Sequence, residues 1–206
     1  MGGNGSGNYQ FSKPVDVDAT NGLKVFVTDY NNRRIQVFDR RGQYLSSISG
    51  SNAFGQNVRY SPTQIAVNGL GEVFFVDENQ YSIQRFGLDA NLLDAFRIPP
   101  EVKQVDDLVI TPREILLLDK KSATIHRLSL NGNYTGFYPA KGVKALFASE
   151  QGIWTAYSNQ IERIDRSKQK EIKPFNTEID AVNLQVRNEE IYILTSTSLF
   201  RINGKK

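Results

Sequence analysis

Short runs of alternating apolar and polar residues recur along the whole chain at a nearly constant spacing. The clearest run is Ile35–Phe38, with the sequence IQVF. Equivalent runs begin at residues 83, 125, 161 and 199, with the sequences IQRF, IHRL, IERI and LFRI. The spacings between successive runs are 48, 42, 36 and 38 residues. Alternation over four or more residues is typical of a half-buried β-strand, so the pattern predicts five related β units.

Each unit contains three further apolar segments around the alternating run. A continuous apolar segment precedes the run, as at Val73–Val76. A turn follows the run, as at Asn131-Gly132, and leads into a short strand. Another short strand opens the unit, as at Gln64–Val67. Asn-Gly pairs supply the positive φ of tight hairpins, and no window has the spacing of an amphipathic helix. Four short strands in about 40 residues predict a β-propeller blade.

The chain is therefore expected to be an all-β protein, a β-propeller of about five four-stranded blades, with a truncated or six-bladed ring as alternatives. In this prediction residues 1–13 are a Gly-rich inter-blade loop or linker and residues 14–206 are the propeller. The predicted blades cover approximately residues 14–50, 62–100, 105–141, 143–176 and 179–206.

The fifth unit stops where a hairpin should lead into its fourth strand, and the Gly-rich start resembles the loop that normally follows such a strand. Two hypotheses are consistent with this. In the first, an upstream segment supplies a closing strand or a further blade, together with an export signal, which favours a periplasmic or extracellular protein. In the second, a five-bladed ring closes with a three-stranded last blade, and a cytoplasmic location is favoured.

The composition excludes several classes of functional site. The chain has no cysteine, which excludes disulfides, thiolate metal sites and cysteine nucleophiles. The single histidine, His126, excludes a multi-histidine metal site. No apolar run approaches the ~18 residues of a membrane-spanning helix. The net charge of +3 is mixed along the chain and is a weak indication of acidic partners.

The first unit resembles the NHL repeat. That family has an F-x-x-P opening, an apolar first strand and then the pattern V-x-D-x-x-N-x-R-I-x-x-F, which residues 11–14 and 27–38 match. The second unit keeps Pro62, Asp77, Ile83 and Phe86. It has Ser82 where the first unit has Arg34, and the later units keep less of the pattern. The resemblance implies a propeller that usually binds protein, RNA or small ligands, although some relatives are enzymes.

Polar residues on the first strands are candidates for a ligand or metal site, because first strands surround the axis of a propeller. The aligned residues are Asp16, Gln64 and Asp107. Carboxylate oxygens are ligands that Ca²⁺ prefers, so a Ca²⁺ site at the channel mouth is one hypothesis. The alternative is that these side chains cap backbone groups and face channel water.

Other polar residues recur in phase with the repeat. Asp29, Asp77 and Asp119 end the continuous apolar strands and are expected to accept N–H bonds in their own turns. The arginines of the alternating runs are expected to cover apolar surface and pair with neighbouring acids. They are Arg85, Arg127, Arg163 and Arg201. Arg33 and Arg34, beside a turn, form a possible basic contact surface for RNA.

The leading functional hypothesis is a non-enzymatic scaffold that binds another protein, or a ligand, through its loop face. It rests on the repeat and on the lack of a convergent catalytic set, since the only histidine lies on a repeat strand and no Ser/His/Asp grouping is expected. One alternative is a divalent-metal-dependent propeller hydrolase or lyase acting on a small molecule. The other is an RNA-binding propeller, and the enzymatic question stays open.

Overall fold

The computed structural model describes residues 2–50, 58–149, 152–164, 170–175, 178–187 and 190–203. These residues form β-strands joined by turns and loops, and among them no long apolar helix could cross a bilayer. The strands build five successive antiparallel sheets, in which each strand pairs with the next one along the chain. This arrangement confirms the predicted all-β propeller class. The turn expected after the last strand, at residues 204–206, lies outside the described residues.

The chain divides into two compact units, and the first comprises residues 1–101 with the turn at 130–133. It contains a two-stranded parallel sheet of β1 (Gly3–Asn4) and β2 (Gln10–Phe11). The first four-stranded sheet consists of β3 (Pro14–Asp18), β4 (Lys24–Asp29), β5 (Arg34–Asp39) and β6 (Tyr44–Ile48). The second consists of β7 (Pro62–Val67), β8 (Val73–Asp77), β9 (Ser82–Phe86) and β10 (Leu92–Arg97).

The second unit comprises residues 102–129 and 134–206. Its first sheet consists of β11 (Asp107–Ile110), β12 (Glu114–Asp119), β13 (Thr124–Ser129) and β14 (Tyr134–Pro139). The next consists of β15 (Ala145–Ser149), β16 (Gly152–Ala156), β17 (Gln160–Ile164) and β18 (Lys170–Pro174). The fifth sheet has three strands among the described residues: β19 (Asn183–Arg187), β20 (Glu190–Leu194) and β21 (Leu199–Asn203).

The second strand of each sheet is the centre of the core. All five residues of β8 are buried, because sheet packing covers apolar side chains on both of its faces. In the first unit the Phe75 and Phe86 rings stack with centroids 5.6 Å apart, and Tyr60 meets Phe75 edge-on at 5.4 Å. A strand with apolar residues at every position is stable only in such a sandwich, which explains why these segments do not alternate.

A buried aspartate ends each of β4, β8 and β12 and holds the chain that leads into its sheet. Asp29 Oδ1 accepts the N–H groups of Ser12 and Lys13 at 3.0 and 3.2 Å. Asp77 Oδ1 accepts that of Ser61 at 2.8 Å, and Asp119 Oδ2 that of Lys103 at 2.7 Å. Each carboxylate therefore reaches a segment well upstream as well as its own turn, so the predicted turn role was only part of its structural role.

The second oxygen of this aspartate has a different environment in the first and second sheets. In the first sheet Asn32 Nδ2 and Arg34 Nε donate to Asp29 Oδ2 at 2.7 and 3.2 Å. In the second sheet Ser82 replaces the arginine, and Asp77 Oδ2 is buried without a hydrogen-bond partner among the described residues. Burial raises the pKa of Asp77, even though backbone N–H groups oppose the shift.

The arginines of the third strands pair with glutamates, as the sequence predicted. Arg85 Nη2 lies 2.7 Å from Glu72 Oε1, and Arg127 Nε lies 2.8 Å from Glu114 Oε2. Arg201 pairs with Glu190 in the fifth sheet. Two of these guanidinium groups also lie over aromatic rings, Arg85 over Phe74 at 5.6 Å and Arg127 over Tyr138 at 4.7 Å. Each arginine thus joins the third strand to the start of the second strand of its sheet.

Replacing Asp29 or Asp77 by asparagine should lower the free energy of unfolding by different amounts, because the second oxygens of the two carboxylates have different partners. Asp29→Asn removes a buried charge that Arg34 neutralises, so we expect a loss of about 3 kcal/mol in the free energy of unfolding. Asp77→Asn removes a carboxylate whose second oxygen has no donor, so we expect a loss of about 1 kcal/mol or less. Urea unfolding of both variants measures this. Equal losses of the free energy of unfolding in the two variants would show that Arg34 contributes no more to the stability of Asp29 than the surroundings of Asp77 do.

Candidate functional site

A solvent-open cleft lies between the first and second sheets, within the first unit. It is a shallow depression of about 290 Å³, a volume that includes open solvent. Its lining residues, which we call the loop cleft, are Lys24, Phe26, Val37, Ser46, Ile48, Gly71, Val73, Gly87, Leu88 and Ala90. Most of the lining residues are apolar, but the enclosed part of the space is far smaller than a small-molecule pocket. The loop cleft is therefore a shallow apolar surface and does not enclose a ligand.

Three leucines in the loops at this end of the sheets are exposed. Leu23, Leu70 and Leu88 are 73, 74 and 68% exposed. Leu70 immediately precedes Gly71 of the cleft wall, and Leu88 is itself part of that wall. Gly71 has a φ of 80°, and a Cβ at this position would lie 2.5 Å from the Leu88 side chain. Glycine suits this turn because residues with a Cβ rarely adopt this φ, whereas the exposed Leu88 side chain could move aside.

Unpaired basic residues lie beside the loop cleft, together with Asp89, which stands between the lining residues Leu88 and Ala90. Lys24 lies in its wall, and Arg40 and Arg41 are exposed in the β5–β6 turn. Within the described part of the chain, none of these three side chains forms an ion pair. The nearby Asp39 carboxylate instead accepts the backbone N–H groups of Arg41 and Gln43, both at 2.8 Å. An acidic group at the rim would therefore find unpaired cations.

The first-strand aspartates connect adjacent sheets instead of pointing freely into solvent. Asp16 Oδ2 accepts the N–H of Ile65 at 2.9 Å, and Asp18 Oδ2 accepts that of Val67 at 3.1 Å. Both acceptors lie on β3 and both donors lie on β7. Two carboxylates thus bind the first strand of the next sheet, in the same unit.

Asp107 repeats this arrangement in the second unit. Its Oδ2 accepts the N–H of Leu146 at 3.2 Å, on the first strand of the following sheet. Gln64, the third predicted residue, is half-buried on β7. No three acidic or histidine side chains of the described residues converge as a metal site would require. Calcium binding by Asp16, Gln64 and Asp107 therefore stays a prediction.

The electrostatic environment of Asp16 differs from that of an ordinary surface carboxylate. Burial is the main cause that raises its pKa from 3.8 to about 6, and the nearby Asp18 charge adds to the shift. Hydrogen bonds from the N–H groups of Ile65 and Val17 oppose it. The pKa of Asp18 is raised as well, again mainly by burial. These carboxylates therefore make the contact between the sheets dependent on pH.

Arg33 and Arg34 have different surroundings. Arg34 is tied to Asp29, and its Nη2 donates to the carbonyl oxygens of Gly7 and Gln10, both at 2.9 Å. Its guanidinium therefore holds the N-terminal segment against the first sheet. Arg33 is exposed, with a φ of 54° in the β4–β5 turn. Contact with RNA stays a prediction, and Arg33 is the residue of the pair that is free to make it.

The structure brings His126 into a polar cluster that the sequence analysis did not expect. Its Nε2 lies 3.0 Å from Thr124 Oγ1, 3.4 Å from Ser122 Oγ and 3.5 Å from Asp119 Oδ2. Its Nδ1 lies 3.2 Å from Tyr134 Oη. A Ser-His-Asp triad requires the carboxylate and the hydroxyl on opposite ring nitrogens. Here both meet the same nitrogen, so the cluster orients the ring without forming a triad.

The structure thus brings Asp119, Ser122 and His126 together, although the sequence analysis expected no Ser/His/Asp grouping. The short spacing of these residues in the sequence could have indicated the cluster. Asp119, Ser122, Thr124 and His126 all lie on the β12–β13 hairpin, where the turn and the alternation of β13 direct them to one side. Although burial alone would raise the pKa of Asp119, the N–H groups of Lys103 and Ser122 lower it.

Comparisons with known proteins agree with this fold. Residues 11–38 match the NHL repeat, which confirms the resemblance seen in the first unit. No curated protein sequence matches the chain. A solved structure of a catalytically inactive histidine-to-alanine variant of virginiamycin B lyase from Staphylococcus aureus, with quinupristin, is similar at 16% identity and a TM-score of 0.61. The similarity covers 94% of this chain and 71% of that one.

Two further solved structures are similar at the level of the fold. A streptogramin B lyase is 15% identical with a TM-score of 0.54, over 95% of this chain and 84% of that one. A functionally unknown protein from Desulfotomaculum acetoxidans is 13% identical with a TM-score of 0.64, over 92% and 65%. At such low sequence identities the similarity shows a shared propeller fold and does not indicate a shared activity.

The raised pKa of Asp16 predicts a pH dependence of stability. The folded state keeps the Asp16 proton up to about pH 6, whereas the unfolded chain releases it near pH 3.8. Between these values the folded state binds more protons, so this contribution is present at low pH and is lost as the pH rises through 6. We expect Asp16→Asn to remove a decrease of about 2–3 kcal/mol between pH 4 and pH 7.

Urea unfolding at a series of pH values measures this difference. Gln64→Ala serves as the control, because it changes the equivalent position of the second sheet without removing a titratable group. Its stability profile should run parallel to that of the unmodified protein. Parallel profiles for Asp16→Asn and the unmodified protein would show that Asp16 has an ordinary pKa.

Proposed function

We propose that the protein is a non-enzymatic β-propeller scaffold that binds another protein through the loop cleft of its first unit. The observation that carries this proposal is the combination of an apolar cleft, exposed leucines at its rim and unpaired cations beside it. Soluble proteins rarely expose apolar side chains next to one another unless the surface binds a partner.

The apolar part of the cleft determines the kind of contact. Phe26, Val37 and Val73 line its interior, and Leu88 extends the same surface outward. The depression is shallow and open to solvent, so a side chain of a partner would pack against it without being enclosed. Interfaces commonly obtain most of their binding energy from a few residues. The partner is therefore expected to place a leucine or an aromatic side chain on this surface.

The charges determine what surrounds that anchor. Lys24, Arg40 and Arg41 form no ion pair with other described residues. Acidic residues beside the anchor would complement them, which would speed association and select against basic partners. The expected ligand is thus an acidic segment with one large apolar residue.

The lyase alternative has less support in the residues of this chain. The similar virginiamycin B lyase structure is described as inactive when a histidine is replaced by alanine. The one histidine of this chain, His126, is buried and held by hydroxyl groups of its own sheet. Among the described residues there is also no group of side chains that could hold a metal ion. A catalytic role would need a site built from other residues.

Replacing Leu88 by aspartate should abolish partner binding. The added carboxylate is solvated in the free protein but would lose its water when a partner covers the apolar wall. Because this desolvation is costly, we expect at least a tenfold loss of the captured protein. The measurement is cross-linking capture from an extract of the source organism, quantified by mass spectrometry. Leu88 is largely exposed, so the melting temperature should change little.

Phe137→Asp is the matched control for this experiment. Phe137 is an exposed apolar residue on β14, away from the loop cleft in sequence and sheet. The same partner should be captured by this variant as by the unmodified protein. If Leu88→Asp retains the partner, or if Phe137→Asp loses it equally, binding through the loop cleft is refuted.

A further inference from the structure

Asparagine followed by glycine is a chemically reactive pair, because the backbone nitrogen of the glycine can attack the side-chain carbonyl carbon, Cγ, of the asparagine. Glycine has no Cβ to hinder this approach. The attack needs an asparagine side chain that is free to turn and a glycine N–H that is not bonded elsewhere. The described residues contain four such pairs: Asn4-Gly5, Asn21-Gly22, Asn68-Gly69 and Asn131-Gly132.

The turn between β3 and β4 holds the pair Asn21-Gly22. Asn21 Oδ1 accepts the N–H groups of Leu23 and Lys24 at 3.0 and 3.1 Å. The N–H of Gly22 donates to Ala19 O at 3.1 Å. Both reacting groups are therefore engaged in the turn, and the turn must open before they can react.

The side chain of Asn68, between β7 and β8, is held at both ends of its amide. Its Oδ1 accepts the N–H groups of Leu70 and Glu72, both at 3.0 Å, and its Nδ2 donates to Glu72 Oε2 at 2.7 Å. In the pair at the start of the chain, the N–H of Gly5 donates to Phe11 O at 3.1 Å. These pairs are thus also restrained by hydrogen bonds.

Asn131-Gly132, in the β13–β14 turn, lacks these restraints. The Asn131 side chain is exposed and forms no hydrogen bond with another described residue. The N–H of Gly132 likewise donates to no other group in the described part of the chain. Of the four pairs, this one therefore has both reacting groups free.

The backbone of this turn packs closely against β10. A Cβ at Gly132 would lie 2.5 Å from the ring of Phe96, and Gly132 has a φ of 78°. Phe96 is only 8% exposed. Residues 130–133 and Phe96 belong to the same compact unit. A longer main chain in the turn would therefore have to move away from Phe96.

We propose that Asn131 is a site of spontaneous deamidation, with water as the only co-reactant. The Gly132 nitrogen bonds to Asn131 Cγ, the Cγ–Nδ2 bond breaks, and ammonia leaves with the proton of the Gly132 N–H. Water then opens the cyclic imide. Attack at Cγ gives aspartate, whereas attack at the backbone carbonyl carbon gives isoaspartate, in which Cγ lies in the main chain. Nothing is oxidised or reduced.

The two products change the turn in different ways. Aspartate adds a negative charge at an exposed position and keeps the backbone as it was. Isoaspartate adds the same charge and also lengthens the main chain between Asn131 and Gly132. Because the turn lies against Phe96, isoaspartate should displace the turn and uncover this ring. The site shares no residue with the loop cleft and does not depend on the proposed function.

The test is to incubate the full chain at mildly alkaline pH in heavy-oxygen water and to follow each asparagine by peptide mapping with mass spectrometry. Asn131 should lose its amide about tenfold faster than Asn21 or Asn68, because local structure must open first at those two sites. Both aspartate and isoaspartate should form at residue 131, and each should carry heavy oxygen. Asn21 and Asn68 are internal controls in the same sample.

The same incubation in urea separates the effect of structure from that of sequence. The unfolded chain restrains none of the pairs, so the rates at Asn21, Asn68 and Asn131 should become similar. Equal rates at the three sites in the folded protein would refute the proposal, and so would an unchanged ratio of rates in urea. Loss of the Asn131 amide without isoaspartate would exclude the cyclic imide.

Two variants test what the modification does to the turn. Asn131→Ser cannot react, and freshly prepared Asn131→Asp carries the charge on an unchanged backbone. Since Asn131 is exposed, both should fold. Hydrogen exchange in β10 and in residues 130–134 should be faster in the incubated protein than in either variant. Equal exchange in the incubated protein and in Asn131→Ser would overturn the displacement of the turn from Phe96.

Discussion

The buried aspartate at the end of the second strand is the interaction on which the first three four-stranded sheets depend. A carboxylate enclosed in a protein is stable only when donors surround it, and here the donors come from the segment that leads into the sheet. Asp29, Asp77 and Asp119 all make this contact. It fixes where the first strand begins, and with it the register of a strand that has few other constraints.

The protein satisfies this one requirement in three different ways. Arg34 and Asn32 complete the shell of Asp29, which gives the first sheet a full set of charged and neutral donors. Asp77 has its backbone donors alone, and His126 approaches the third carboxylate, Asp119. The decline of the sequence pattern along the chain therefore corresponds to a change of partners around a conserved geometry, not to a loss of the fold.

Surfaces that the sheets do not use for their own packing are the candidates for binding. The loop cleft exists because Gly71 and Gly87 leave space beside the apolar residues between two sheets. Burial of the first-strand carboxylates links the stability of the scaffold itself to pH.

The sequence by itself determined the class of fold, the number of units and the order of strands. Alternation at Ile35, Ile83 and Ile125 indicates β-strands, and this is a local property that a short window reveals. It did not show that Gln36, Gln84 and His126 on the other face are buried too. The pairing of Arg85 with Glu72 also followed from repeat position, because neighbouring strands are close in both sequence and space.

The tertiary structure alone decided the roles of the predicted site residues. From their position on first strands Asp16 and Asp107 were predicted either as channel ligands or as caps of backbone groups, and their oxygens accept N–H groups from the next sheet. Those donors lie 49 and 39 residues further along the chain. The loop cleft has the same origin. It depends on how separate sheets meet, and no local pattern of residues contains that information.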